Sequence, residues 1–213
     1  MKPYYEHNGI TIYHGDCREV LPQLGRVDLV LTDPPYGVGI EYTTETDDRR
    51  LDYEAWCKSW FDLLPRPIVF TPGTVNLGMW MRIEQPTWVC AWFKPNQASA
   101  GGLGGFNVWE PVVVYGRPAK KLKHDAWNHL VSFREKGNHF MGAGSHPVPK
   151  TESFWRLLVR DFTEEGDTLL DPMMGSGTTL RSAKTLGRKA IGIEIEERYC
   201  EIAAKRLSQE VLL

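Results

Sequence analysis

Four apolar runs in this 213-residue chain each close on a carboxylate: ITIYHGD at Asp16, DLVLTD at Asp33, TLLD at Asp171 and AIGIE at Glu194. Short apolar runs bounded by turn residues read as buried strands, and strands apolar on both faces belong to parallel sheets covered by helices. In open α/β sheets the ligand crevice lies outside the carboxyl ends of the strands, where strand order reverses. One strand-ending aspartate is an ordinary turn or helix cap. Four acids on one rim would surround a single crevice, and that is the arrangement the pattern predicts.

The chain in order supports an α/β domain. Asn8-Gly9 between two β-rich runs predicts a tight hairpin, and Cys17 to Leu24 a short helix. Residues 37–50 are polar and acidic and read as a loop beside the site. Asp52 can cap a helix to about Leu64 with Tyr53, Trp56, Trp60 and Leu63 on one stripe. Strands follow at 67–71, 87–93 and 111–115, with a helix at about 74–83 between the first two. Gly101, Gly102, Gly104 and Gly105 lie between the last two strands. A parallel crossover usually needs a helix, which four glycines disfavour, so an antiparallel pair is predicted. From Arg117 to Pro149 no period is sustained. The last third reads helix 151–162, then strand, helix, strand, helix, ending near Val211.

Leu31 to Tyr36, LTDPPY, is the most informative stretch. Each proline fixes φ near −65° and lacks an N–H, and the residue before each is pushed to extended geometry. A stiff ledge at the end of a strand results, presenting the Asp33 carboxylate, the Pro34 carbonyl and the Tyr36 ring to one cavity. From average residue usage, a chance DPPY in a chain of this length is on the order of one in a thousand. A second turn, Asp171-Pro172-Met173-Met174-Gly175-Ser176-Gly177-Thr178-Thr179, joins a strand to a helix. Its glycines allow close backbone approach beside a helix N-terminus. No Lys follows the second glycine, so this is not a P-loop, and it departs from GxGxxG. Glu194 lies roughly 20 residues on, where a ribose-hydroxyl acceptor is expected. This half is read as binding a nucleoside with a small anionic group.

Charge is unevenly spread. Arg117 to Lys150 holds seven Lys or Arg against two acids, while the whole chain carries −2. One basic segment on an acidic body fits either a polyanion-binding face or a solvated loop. Cys17, Cys57, Cys90 and Cys200 show no metal or disulfide spacing, and His124, His129, His139 and His146 no ligand spacing. No metal is expected. No signal peptide or membrane-spanning stretch is read, which predicts no membrane association and a cytoplasmic, nucleoid-associated protein.

With DPPY and DPMMGSGTT in one chain, the sequence resembles the S-adenosylmethionine-dependent amino-methyltransferases that methylate exocyclic amines of DNA bases. The DPPY half precedes the GSGTT half, as in the permuted β group of that family. His146-Pro147-Val148-Pro149-Lys150 is similar to the family's HPTxKP segment. The resemblance runs from about Tyr4 to about Leu207, with Arg117–Ser145 unmatched; Met173 replaces the usual Phe and Thr151 the usual Pro. It implies a Rossmann-like, doubly wound, mostly parallel seven-stranded sheet in permuted order with an antiparallel edge pair. The strand at 10–13 would lie beside 189–194, then 168–171, then 29–32. It also implies one domain over 1–213 with a small target-recognition insertion at about 95–145.

By the same resemblance, Asp33, Pro34, Pro35 and Tyr36 are the catalytic residues. Asp171 and the turn of Gly175, Ser176, Gly177 and Thr178 would hold the methionine end of S-adenosylmethionine, and Met173 would pack the adenine ring. Glu194 would take the ribose, Asp16 and the Cys17 backbone the adenine edge, and Lys150 the cofactor carboxylate, with Ile195 a further cofactor contact. Lys120, Lys121, Lys123 and Arg134 are expected on DNA phosphates, with Phe106, Trp127 and Phe133 packing. The implied reaction is site-specific methylation of the N6 amine of a flipped adenine in duplex DNA, in a restriction-modification setting and with a possible homodimer. Asp at the first ledge position goes mostly with adenine N6 and Ser with cytosine N4. Methylation of cytosine N4 or of RNA, and a non-catalytic cofactor-binding regulator that grips DNA, are the alternatives. A nicotinamide dehydrogenase would leave DPPY unexplained.

Overall fold

The computed structural model describes residues 1–37, 52–95, 99–100, 106–130 and 151–209. The expected loop at 37–50 and the HPVPK segment therefore lie almost wholly outside the described residues. Asn8 and Gly9, with φ of 47° and 77°, make the hairpin between β1 (Tyr5–His7) and β2 (Ile10–His14). A tight two-residue turn requires this left-handed geometry at both positions. The remaining strands are β3 (Leu29–Thr32), β4 (Ile68–Phe70), β5 (Trp88–Phe93), β6 (Ser99–Ala100), β7 (Phe106–Asn107), β8 (Trp109–Tyr115), β9 (Ala126–Asn128), β10 (Thr168–Asp171) and β11 (Lys189–Glu194). Six helices stand among the described residues: α1 (Cys17–Val20), α2 (Tyr53–Phe61), α3 (Leu77–Ile83), α4 (Glu152–Phe162), α5 (Thr178–Thr185) and α6 (Glu197–Ser208).

The main sheet has the order β1-β2-β11-β10-β3-β4-β8-β5-β9, and β6 and β7 pair separately. Its central seven strands, β2 to β5 in that order, are the expected ones. β2, β11, β10, β3 and β4 are parallel, and β8 is antiparallel to both β4 and β5. Two differences appear at the edges. β1 extends one side, and β9 pairs parallel with β5, so the antiparallel pair is not the edge. β9 has only three residues, too few for a period to show. It is held by Trp127, buried at 3% exposure, whose Nε1 donates to Asp161 Oδ2 at 2.9 Å.

Strict alternation sorts the side chains to two faces. Ile10, Ile12, Leu29, Leu31, Val69, Val112, Val114 and Leu169 pack under α4, α5 and α6. Val30, Ile68, Phe70, Val113, Tyr115, Leu170 and Ile193 pack under α1, α2 and α3. Residues two apart on a strand share a face, so both layers follow from the sequence of each strand. One expected stripe position moves: α2 ends at Phe61, which is buried, and Leu63 beyond it is 44% exposed.

Chain order steps one way from β3 to β4 and the other way from β10 to β11, so the switch point lies between β10 and β3. β3, β5 and β9 point the same way as β10 and leave the sheet at this carboxyl rim. No helix among the described residues is long and apolar enough to cross a membrane. Leu169, fully buried on the central strand β10, tests the packing: Leu169→Ala is expected to lower the unfolding free energy by about 2–5 kcal/mol in urea titration.

Candidate active site

The ledge is held from below and from behind. β3 is buried throughout, and Asp33 is the first residue past it. Asp33 Oδ1 accepts hydrogen bonds from the Tyr36 hydroxyl at 2.7 Å and from the Thr71 hydroxyl at the end of β4. Asn76 Nδ2 donates to the Tyr36 carbonyl at 2.6 Å, and the Tyr53 hydroxyl to the Pro35 carbonyl at 2.5 Å. The Tyr36 ring lies over Gly73, where an added Cβ would stand 3.1 Å from Cδ2. Tyr36 therefore does more than present a ring: its hydroxyl orients the Asp33 carboxylate. Pro34 is buried and Pro35 half-buried.

The glycine turn adjoins the ledge. Leu169 and Leu170 of β10 pair with Leu29 and Val30 of β3, and Thr32 Oγ1 donates to Asp171 Oδ1 at 2.7 Å. Asp171 also accepts from Met173 N at 3.2 Å. Thr179, which bonds Asp171 as well, accepts from the buried Trp155 Nε1 at 2.5 Å. Glu194 Oε2 accepts from Gly175 N and Oε1 from Glu196 N, both at 2.9 Å. Gly177 has φ of 80°, and a Cβ there would stand 2.9 Å from Ala203 Cβ, so only glycine lets the turn lie on α6. Ser176 and Thr178 are half-buried on this turn, and Met173, partly buried, packs against the core on the α1–α3 side of the sheet.

On the far side of β11, Gly15 N donates to the Glu194 carbonyl at 2.9 Å, which brings Asp16 to the same rim. Asp16 caps α1, accepting Arg18 N at 2.8 Å and the Arg18 guanidinium at 2.5–3.1 Å. Its carboxylate thus already carries a bidentate arginine, which the sequence did not suggest. Cys17 is buried, and Ile195 is 49% exposed beside Glu194, its carbonyl 3.1 Å from His14 Nε2.

The expected phosphate contacts fare differently. Lys120 Nζ donates to the Arg160 and Thr163 carbonyls at 2.7 and 3.0 Å, so it closes the carboxyl end of α4. β8 runs antiparallel, and the segment between it and β9 lies at the rim opposite the ledge. Lys120, Lys121 and Lys123 are on that segment, with Lys121 and Lys123 exposed. Arg134 and Lys150 lie outside the described residues, as do Phe133, His139 and His146.

Sequence reasoning also missed Thr32, Thr71 and Thr179. Thr32 and Thr71 close buried strands just as the four acids do, and the same rule extended to hydroxyls would have found them. A buried ion pair, Lys94 with Glu110, joins the carboxyl end of β5 to β8, the ammonium 5.0 Å over the Trp92 ring. Among the described residues no cluster of His, Cys, Asp or Glu could hold a metal.

The site suits a nucleoside bearing hydroxyls. Each Glu194 oxygen accepts one backbone N–H and has lone-pair capacity for a hydroxyl besides. Burial pushes the Glu194 carboxyl up to about 7 and the Asp171 carboxyl up to about 6, opposed by their hydrogen bonds.

The sequence profile of the DNA methylase family matches residues 89–205. The chain is similar to the type II methyltransferase M2.DpnII of Streptococcus pneumoniae, 28% identical over 250 residues, 98% of this chain and 93% of that protein. Among solved structures, the PvuII DNA methyltransferase (cytosine-N4-specific) superposes with a TM-score of 0.75 at 19% identity, covering 100% of this chain and 91% of that one. The M1.HpyAVI–SAM complex gives 0.64 at 22% identity, covering 93% and 100%. At these identities the two structures speak to the fold.

A raised carboxyl pKa means the folded state binds its proton more tightly than the unfolded chain does. The cost of burying Glu194 and Asp171 as anions is then absent below about pH 4 and fully present above about pH 7. Urea midpoints are expected to rise from pH 8 to pH 5 by more in the wild type than in Glu194→Gln. Equal rises would remove Glu194 from the titration.

Proposed function

We infer from one premise, that this chain belongs to the N6/N4 DNA methylase family, that it methylates the exocyclic N6 amine of adenine in DNA with S-adenosylmethionine as donor. The observation that carries the reading is the buried Thr32–Asp171 hydrogen bond, which puts the DPPY ledge and the glycine turn on neighbouring strands at the switch point. When bound, S-adenosylmethionine supplies a methyl group activated by its sulfonium.

We assign Asp171 and the Gly175–Thr178 turn to its methionine end, Glu194 to the ribose hydroxyls, and Ile195, Asp16 and the Cys17 backbone to the adenine. Asp16 takes part once it shares or releases Arg18. Lys150 is proposed for the cofactor carboxylate.

An exocyclic amine is a poor nucleophile because its lone pair is delocalised into the ring. Asp33 and the Pro34 carbonyl each accept one amine N–H, which favours a pyramidal nitrogen with its lone pair aimed at the methyl carbon. An aspartate is too weak a base to deprotonate the neutral amine. Asp33 instead stabilises charge developing on nitrogen, an effect of about 1.5–3 kcal/mol for a charged hydrogen bond. Once methylated, the amine nitrogen would be cationic and strongly acidic, and Asp33 would then accept its proton. Tyr36 and Thr71 hold the carboxylate in place for both tasks. Alignment of the reacting atoms contributes much of the remainder.

The base reaches this recess only outside the duplex, and the Tyr36 ring is proposed as its stacking partner. Target reading is assigned to residues 96–105 and 131–150, which continue from the rim that bears the ledge. Their small size favours a homodimer that divides the work. Likeness to the cytosine-N4-specific PvuII enzyme keeps cytosine as the second reading.

Asp33→Ala is expected to keep cofactor binding and to lose at least about 100-fold in turnover in a radiolabelled methyl assay; retained turnover would refute the assignment. Nucleosides from methylated DNA, separated by mass, should contain N6-methyladenine, and N4-methylcytosine would hand the site to the second reading. Tyr36→Ala should cost more on duplex than on single-stranded DNA, and equal losses would count against base flipping.

A further inference from the structure

The glycine turn is held from inside the crevice by Glu194, and it has a second attachment on its outer side. On α6, Ala203 and Arg206 are three residues apart and share one helix face. Ala203 is the residue that leaves no room for a Cβ at Gly177. Arg206 Nη1 donates to the Ser176 carbonyl at 2.6 Å and lies 3.0 Å from Ser176 Oγ. Both contacts fall between the two glycines whose left-handed φ values, 50° and 80°, set the course of the turn.

Arg206 is itself held. Its Nη2 lies 3.8 Å from Glu152 Oε2, and Arg181 Nε of α5 lies 3.2 Å from the same oxygen. Glu152 Oε1 accepts from Arg156 Nη2 at 2.5 Å. One carboxylate at the start of α4 therefore ties three guanidiniums from α4, α5 and α6 to a single point. Burial against these neighbours pulls the Arg206 pKa below its ordinary value. The cluster lies on the helix side of the turn and meets the groups assigned to the cofactor at Ser176.

We propose that Arg206 is a positioning residue for cofactor binding: by engaging the Ser176 carbonyl and hydroxyl it fixes the glycine turn in its binding conformation. This inference rests on the cofactor reading above. A carbonyl free to rotate toward the anionic end of the cofactor would repel it. Bonded to a guanidinium, the Ser176 carbonyl is committed to α6, and the turn enters the complex already ordered. Ordering the turn in advance lowers the cost of binding. The role depends on a planar fork that reaches Ser176 and Glu152 together, which a lysine ammonium does not reproduce.

The test is isothermal titration of wild type, Arg206→Met and Arg206→Lys with S-adenosylmethionine and with S-adenosylhomocysteine, beside steady-state kinetics on DNA. Arg206→Met is expected to weaken both nucleosides by about tenfold, the scale of a lost charged hydrogen bond. Arg206→Lys should fall between. The KM for DNA and kcat at saturating cofactor should stay within about twofold of wild type, because the site that holds the base is untouched. Should the Met variant fail to fold, the Lys variant decides alone. Unchanged nucleoside affinity in the variants, with normal wild-type binding, overturns this inference and leaves the cofactor reading standing. Cofactor affinity, DNA KM and kcat declining together with Tm would mark Arg206 as merely structural and also overturn it. Failure of the wild type to bind either nucleoside overturns the cofactor reading and this inference together.

Discussion

A hydroxyl and a carboxylate 139 residues apart in the chain meet in the dry centre of the sheet: Thr32 Oγ1 donates to Asp171 Oδ1 at 2.7 Å. Each is the last residue of a parallel strand, and the two strands are neighbours. A buried carboxylate without partners is costly, so Asp171 needs donors, and Thr32, Thr179 and the Met173 N–H supply them. The same bonds set the relative height of two strand ends. Everything past those ends, the proline ledge on one side and the glycine turn on the other, starts from that common level. Relative height decides whether two reactants are in line, and misplacement by about an ångström can cost 100-fold in rate.

Outward from this bond the site is organised by oxygen acceptors and their donors, with hydrophobic packing behind. Asp33 is oriented by two hydroxyls, from Tyr36 and Thr71, and Glu194 by two backbone N–H groups. Glu194 and Asp171 thus form a pair of buried acids at the ends of adjacent strands; burial raises both, with further increments to Glu194 from Glu196 and Asp171 and to Asp171 from Asp33. Such a pair is poor for stability and well suited to ligand hydroxyls, which can occupy the remaining lone pairs. The rim accepts this electrostatic cost because the helices on both faces supply a large apolar core.

Much of this was legible before any coordinates. The four acid-ended strands lie on one rim, the strand order at the centre is the expected one, and the Asn8-Gly9 hairpin and the final strand–helix–strand–helix run are in place. These features rest on local chemistry: proline and glycine dihedrals, apolar runs of strand length and alternation between faces. What escaped notice depends on pairing across the sheet. Thr71 is an unremarkable end to PIVFT until β4 lies beside β3. Lys94 and Glu110 come together in the interior only through the pairing of β5 with β8. β9 is too short to have a period and exists because β5 offers it an edge. Arg18 has no signature of capturing Asp16 beyond being two residues away.

The basic run after β8 shows what topology adds to composition. An antiparallel pair was expected where β5 and β8 are found, and one consequence follows from it directly. A chain that climbs to the carboxyl rim along β5 and returns along β8 must emerge at the opposite rim. The basic run from Arg117 to Lys123 follows β8 and so begins there. Charge density reports that a segment is basic and is silent about which end of the sheet it occupies, whereas strand direction is decisive. Applied to the rest of the chain, the same reasoning points the other way: the stretches after β3, β5 and β9 all continue from the rim that carries Asp33. On the proposed function, a duplex presenting a base to the ledge would lie across that rim, where the continuations after β5 and β9 assigned to target reading begin.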